Sequence, residues 1–239
     1  MDNNLQKELF VATLVHDLKN PLTAQISAME QLAKGVFGDV NSCQKEIIEL
    51  TLNSCKYMQK LLYTVLETYK NENGQIKLNK TYFNPENFIK MCIKEHEMLF
   101  NEKHLKQIFI SKLKEKDNIL FADELQIKRV VENILNNQIF YAFKHTDIKI
   151  SLYKKEENIV FEFENTSPEI EETTKSQIFE KYKTGQISNQ KLSTGLGLYL
   201  SKQIISAHKG KIYLIAKNTS NKFIFEIPQT NTQKTQVVW

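Results

Sequence analysis

The sequence predicts two parts in one chain: an α-helical hairpin that forms a four-helix bundle as a dimer, followed by an α+β sandwich. Three observations lead there. Apolar residues recur at helical spacing on both sides of one glycine-bearing interruption, GVFGD at 35–39. The polar segment NENGQ at 71–75 then marks a boundary. Beyond it, short runs that alternate apolar and polar residues are interleaved with helical stretches.

The first helix is carried by Leu5, Leu9, Ala12, Leu18, Leu22, Ile26, Met29, Ala33 and Val36. Gly35 and Gly38 interrupt it, and Asn41 or Ser42 caps a second helix through Ile48, Cys55, Met58, Leu62, Val65 and Tyr69. Such an αα-hairpin has too little to bury alone, and its apolar stripes lie near a coiled-coil repeat, so a homodimer is expected. In the second part, IKL at 76–78 is expected as a strand, Pro85 to about Lys103 as a helix, and residues 108–112 as a strand. LFADELQIKRVVENILNNQIFYAF reads as a strand end that becomes a helix with Asp123 near its cap. Strands follow at 148–154 and 158–165, then a helix from Ser193 or Thr194 to about His208. Residues 211–216 and 222–227 close the domain as a hairpin around 218–221, giving a mixed sheet with helices on one face. The expected bounds are 1–72 for the hairpin, 73–230 for the sandwich and 231–239 for a polar tail.

At 239 residues, 41% hydrophobic and 25% charged, the chain has room for two modest cores. Its 32 basic residues are dispersed among 28 acidic ones, which speaks for a solvated surface and against a nucleic-acid footprint. The three cysteines, Cys43, Cys55 and Cys92, fit neither a disulfide framework nor metal-ligand spacing. No apolar run approaches the roughly 20 residues that span a bilayer, and the N-terminus lacks a signal-peptide pattern, so a cytoplasmic protein without a membrane span is expected.

Three constellations carry chemistry. In HDLKNPL, 16–22, His16 and Asn20 lie one helical turn apart and Asp17 adjoins the histidine. A neutral imidazole nitrogen attacks a γ-phosphoryl group, and an adjacent carboxylate fixes the tautomer and stabilises the developing charge. Pro21 deletes the backbone bond to the Asp17 carbonyl and loosens the helix where the histidine is presented. In RVVENILNN, 129–137, Asn133 and Asn137 are one turn apart, and an amide oxygen suits a hard cation that also bridges a triphosphate. In KLSTGLGLYLSKQIISAHKG, 191–210, Gly195 and Gly197 allow close backbone approach before a helix whose N-terminal N–H groups suit phosphate. A lone histidine, an asparagine-rich helix or a glycine pair carries little separately; their order along one chain carries more.

Taken together, these segments resemble the boxes of the sensor histidine kinases of two-component systems. The likeness runs from about Leu5 to Ile227. It implies a dimerisation and phosphoacceptor hairpin joined to an ATP-binding domain of the Bergerat or GHKL type. It further implies that His16 is autophosphorylated, that Asp17 acts as general base, and that Asn20 positions water for dephosphorylating a partner. By the same resemblance Asn137 takes the place of the Mg2+ ligand. Asn133, Tyr141, Asn165, Lys181, Thr194, Gly195, Leu196, Gly197 and Leu198 fall at nucleotide-binding positions. IFEKY, 178–182, resembles the phenylalanine box at the base of the ATP lid, with Lys183 and Lys191 as further candidate phosphate contacts, while His208 is read as structural.

Two departures stand out. Phe140 occupies a position where a basic residue is common. Asn165-Thr166-Ser167-Pro168-Glu169-Ile170 replaces the usual Asp-x-Gly-x-Gly motif, which predicts weaker ATP binding. The resemblance implies the cofactors ATP and Mg2+, a response regulator receiver domain as partner, and input from a separate sensor protein, from a contact along the first helix, or from a region outside this chain. An alternative keeps the fold without kinase activity, as a phosphatase or scaffold for the regulator. A third possibility is an interaction module with a vestigial nucleotide fold.

Overall fold

We describe the fold from a computed structural model, which covers residues 3–72, 76–183 and 195–229. It falls into two compact units, Met1–Gln75 and Ile76–Trp239.

The first unit is two antiparallel helices, α1 (Asn3–Ala33) and α2 (Ser42–Glu72). The reversal is fixed at both ends. Val36 N–H reaches back to the Gln31 carbonyl and Gly35 N–H to that of Leu32, a helix stop that places Gly35 at φ +71. Asn41 then caps α2 reciprocally: its side chain accepts from Gln44 N–H and its own N–H donates to the Gln44 side chain, both at 2.9 Å. Val15 and Leu22 on α1, and Ile48 and Cys55 on α2, are the buried seam. Each pair is seven residues apart, the repeat of a coiled coil. Lys56 and Glu30 bridge the helices at 3.0 Å. Among the described residues, no helix is long and apolar enough to cross a membrane.

The second unit runs β1 (Thr81–Phe83), α3 (Pro85–Glu95), α4 (Glu97–Glu102), β2 (Lys106–Ser111), β3 (Leu120–Ala122), α5 (Glu124–Tyr141), β4 (Asp147–Lys155), β5 (Asn158–Thr166), α6 (Glu172–Gln177), α7 (Gly197–Ala207), β6 (Lys211–Lys217) and β7 (Ser220–Pro228). Five strands form one mixed sheet in the order β2-β4-β5-β7-β6, with β2 and β4 parallel and the other pairs antiparallel. A separate two-stranded ladder joins β1 to β3. Alternation along β4 and β5 buries Ile148, Ile150, Leu152, Ile159, Phe161 and Phe163, which meet the apolar faces of α5 and α7. Phe161 stacks on Phe225 of β7 at 4.5 Å. The helical hairpin and the helix-covered mixed sheet are the architecture expected from the sequence.

Several elements differ in detail. Residues 76–78 form no strand; the Asn79 N–H is taken by Asp123 Oδ2 at 2.8 Å, and the ladder begins at Thr81 instead. The helix expected from Pro85 to Lys103 is two, broken at His96, whose Nδ1 turns back to the Cys92 carbonyl at 2.8 Å. Helix α7 is described from Gly197, with Gly195 before it at φ +65, outside helical space; Ser193 and Thr194, where the helix was expected to begin, lie outside the described residues. The closing hairpin is tighter than expected, with Lys217 paired to Ser220 across a two-residue turn and Asn218 at φ +52.

Candidate functional site

In the first unit His16 is exposed on α1, beside buried Val15. Its Nδ1 lies 3.3 Å from Asp17 Oδ1. The carboxylate only accepts, so it holds the proton on Nδ1 and leaves the Nε2 lone pair outward. Asn20 and Pro21 are exposed one turn further on.

In the second unit the asparagine helix and the glycine segment meet. Asn133 Nδ2 donates to the Gly197 carbonyl at 3.1 Å and stands 3.3 Å from Ser201 Oγ, so α5 is bracketed to the start of α7. A Cβ on Gly197 would lie 3.4 Å from Asn133 Oδ1, an ordinary contact. Gly195 is tighter: a Cβ there would stand 2.6 Å from the Lys183 nitrogen and from the Tyr182 carbonyl carbon. The glycine is needed both for its left-handed backbone and for this backbone crossing. Leu196 is buried and Leu198 packs on the core, so both hold the glycine segment to the sheet. Asn137, one turn beyond Asn133, is half-buried and its amide makes no hydrogen bond to another described residue. Tyr141 is half-buried, its phenol pKa is pushed up by burial, and it meets Phe140 edge-on at 4.9 Å. The Lys181 ammonium lies 5.1 Å from the Tyr199 ring. Lys183 is exposed, and Thr194 and Lys191 lie outside the described residues.

Asn165, next to last in β5, is buried. Its Nδ2 donates to the Gln138 carbonyl at 3.0 Å, while its Oδ1 has no partner. Ser167 and Glu169, which replace glycines of the family motif, do not hold positive φ. Ser167 is seated by the sheet: its N–H bonds to the Thr219 carbonyl at 2.9 Å and its Oγ accepts from Asn221 Nδ2 at 2.6 Å.

Sequence reasoning missed three participants. Gln138 falls in helical register with buried Ile127, Val131 and Ile134, a polar residue on an apolar stripe, and that was its available signal. Asn221 faces Asn165 across the β5–β7 ladder, which only the register reveals. Lys103 donates to the carbonyls of Phe140 and Ala142 and lies 5.4 Å from the Phe140 ring. It closes the C-terminal end of α5 at the residue that departs from the family pattern. His208 is structural. Its Nδ1 contacts the Ile204 carbonyl at 2.8 Å and its Nε2 accepts the Asp123 N–H at 3.0 Å, and burial lowers its pKa.

Residues 6–74 match the family profile "His Kinase A (phospho-acceptor) domain". Residues 122–231 match "Histidine kinase-, DNA gyrase B-, and HSP90-like ATPase". The chain belongs to the sensor histidine kinases. Similar members of that family include the adaptive-response sensory kinase SasA of Gloeothece citriformis, 30% identical over 93% of this chain and 58% of the relative. SasA of Crocosphaera subtropica is 29% identical over 88% of this chain and 57% of that protein. The sensor histidine kinase WalK of Bacillus subtilis is 26% identical over 87% and 34%. The chain thus spans a little over half the length of these SasA proteins and about a third of WalK. Among solved structures, the catalytic domain of histidine kinase ThkA is 28% identical, with a TM-score of 0.55 over 63% of this chain and 96% of that one. Full-length ShkA in complex with AMPPNP shares the fold over 92% of this chain and 45% of its own, at a TM-score of 0.75 and 18% identity.

Proposed function

We propose that the chain is an ATP-dependent histidine autokinase that phosphorylates His16 and passes the phosphoryl group to an aspartate of a response regulator. The observation that carries it is the exposed His16 with Nδ1 held by Asp17 at 3.3 Å, on a chain whose second unit matches the ATPase profile. Nε2 forms the N–P bond as the bond from the γ-phosphorus to its bridging oxygen breaks and ADP leaves. Asp17 holds the imidazole in the productive tautomer and offsets its developing charge. Pro21 leaves the Asp17 carbonyl without its helical donor, which frees this turn to adjust as the histidine reacts.

The residues present fit an adenine nucleotide. Asn165 offers a buried acceptor without a donor, Gly195 and Gly197 let the start of α7 sit close against the Lys183 backbone and Asn133, and Lys181 lies over the Tyr199 ring of α7. Asn133 holds α5 to α7 so that these groups keep their spacing. Mg2+ fits Asn137, whose amide oxygen is uncommitted among the described residues; the cation neutralises charge on the triphosphate when bound. On the hairpin, Leu14, Leu18, Ile47, Leu50 and Met58 are exposed apolar residues that a second copy would cover, and we read the protein as a homodimer. The complex of ThkA with the response regulator TrrA, which shares this fold at a TM-score of 0.64 and 22% identity, supports a receiver domain as partner. This reading places the chain in the cytoplasm.

The test is incubation with Mg2+ and γ-labelled ATP, followed by an assay for acid-labile, alkali-stable label. Label that is lost in both His16→Ala and Asn137→Ala is the expected result. A folded dimer that takes up no label would overturn the autokinase.

A further inference from the structure

The chain holds five histidines, and two of them meet at a place that neither the phosphoacceptor nor the nucleotide reading uses. His96 and His208 are buried with a ring nitrogen on a backbone carbonyl, and His16 adjoins Asp17. His104 and His145 are exposed, and their rings stack on each other with centroids 4.9 Å apart and planes 2° from parallel. Neither of these two imidazoles makes a hydrogen bond to another described residue, so their ring nitrogens are uncommitted there.

The two turns that carry them are held firmly. His104 closes α4: its N–H donates to the Asn101 carbonyl at 3.0 Å and the Leu105 N–H to that of Phe100 at 2.9 Å, a helix stop whose left-handed residue is His104 at φ +55. His145, between α5 and β4, stands at φ +61. Glycine fills such seats most easily, yet both hold histidine. The backbone then joins the turns. Lys106 N–H donates to the Thr146 carbonyl at 3.1 Å, and the parallel ladder of β2 and β4 starts with Lys106 opposite Asp147. Each histidine therefore precedes its half of that first pair by two residues, and the sheet fixes the spacing of the two turns. The neighbouring Lys103 commits its ammonium to the Phe140 and Ala142 carbonyls.

Neutral imidazole is a ligand for borderline divalent transition metals, and two imidazoles fixed side by side act as a chelate. Metal–nitrogen bonds of about 2.1 Å set the two donor nitrogens roughly 3 Å apart. Rings stacked at 4.9 Å reach that separation by tilting about their Cβ–Cγ bonds, a motion open to exposed side chains. Among the described residues no third His, Cys, Asp or Glu completes a three-ligand set, so water fills the remaining positions. We propose that His104 and His145 form a reversible two-imidazole site for a divalent transition-metal ion of the Zn2+ class, which staples the turn that closes α4 to the turn that leaves α5. The site uses none of the residues assigned to ATP and Mg2+ and does not depend on that assignment. It refuses Mg2+, a hard cation that takes oxygen ligands.

The experiment is calorimetric titration of the full chain with Zn2+ alone, in a His16→Ala, Cys43→Ser background that removes the other exposed imidazole and the exposed thiol. One ion per chain is expected. Asparagine tolerates left-handed backbone, so His104→Asn and His145→Asn keep both turns. Each weakens Zn2+ binding by at least about tenfold, because losing a ligand costs no less than the roughly 10–100-fold of losing an outer partner. Zn2+ at about a hundred times its dissociation constant raises the thermal transition by at least about 5 °C, and neither Asn variant shows that rise. About a hundredfold excess of Mg2+ changes the Zn2+ affinity by less than about twofold. In the unsubstituted chain the same ion shifts the imidazole 15N signals of His104 and His145 together and leaves those of His96 and His208 in place. Absence of binding, equal binding in the Asn variants, displacement by Mg2+, or unmoved His104 and His145 signals overturns the proposal.

Discussion

Replacing Gly210 by alanine should damage the second unit severely, while replacing its neighbour Lys209 by glycine should improve it. Two reverse bonds close α7, from Gly210 N–H to the Ile205 carbonyl and from Lys209 N–H to the Ser206 carbonyl, both at 2.9 Å. In this arrangement the first residue past the helix takes left-handed backbone, the seat that glycine usually fills. Here Lys209 holds that seat at φ +60 and the glycine comes one residue later. Gly210 is required for room. A Cβ there would stand 2.1 Å from the Glu226 carbonyl oxygen and 2.9 Å from an Ile205 methyl. Ordinary C···O contacts begin near about 3.3 Å, so the backbone of β7 or of the turn must move by roughly 1 Å. Lys211 pairs with Glu226 one residue on, and Glu226 is held by Tyr213 at 2.7 Å, so that shift strains the ladder. We expect a loss of about 3 kcal/mol, the upper end for overpacking. Lys209→Gly relieves roughly 1 kcal/mol of left-handed strain and gives back part of it as unfolded-state entropy, for a net gain of about 0.5 kcal/mol. At about 2–4 °C per kcal/mol, Gly210→Ala should lower the melting temperature by at least 6 °C and Lys209→Gly should raise it by 1–2 °C, as read by calorimetry on the purified chain. A Gly210→Ala protein melting within about 2 °C of the native one would refute the steric account.

Two further predictions concern nitrogen groups, one buried and one half-buried. Burial holds the His208 pKa in the folded state below its ordinary value, so the unfolded chain binds the extra proton first as pH falls; the stability it contributes is full above about 6.5 and declines by up to about 1.4 kcal/mol per pH unit until the depressed folded pKa is passed. Urea unfolding of the native chain and of His208→Gln between pH 7.5 and 5.5 should show the native chain losing ground to the variant, and parallel curves would contradict this. Lys103→Met keeps the aliphatic stem and leaves the Phe140 and Ala142 carbonyls without their donor, for a loss of about 1 kcal/mol that Lys103→Arg largely restores. Equal unfolding midpoints for the native chain and Lys103→Met would remove Lys103 from the closure of α5.

The sequence was most legible where a local pattern suffices. The burial of Leu22, Ile48 and Cys55 on helical stripes, the Asn41 cap and the alternation of β4 and β5 each follow from neighbours in the chain, whereas the stripe passed over buried Val15 for exposed Leu18. Elements that depend on remote partners were not. Nothing local distinguishes 76–78 from 81–83 as the strand, because the choice is made by Asp123, more than forty residues away, taking the Asn79 N–H. The break at His96 depends on a side chain returning to its own helix, a contact that pattern reading does not weigh. In the candidate site the order of asparagines and glycines pointed to two segments that the structure brings together at Asn133 and Gly197. That Asn133 spends its NH2 group on the start of α7, and that Gln138 orients Asn165, required the two helices and β5 to be seen together.

The joining of α5 and α7 at two points has a practical consequence. Asn133 ties the middle of one to the start of the other, and the His208 imidazole, just past α7, ties back to Asp123 at the entrance of α5. A rod pinned at two points can neither slide nor pivot, so the pair behaves as a single truss. Chimeras that import one helix from a related protein should therefore misfit unless its mate travels with it, whereas exchanging both as a cassette should preserve the seat they build.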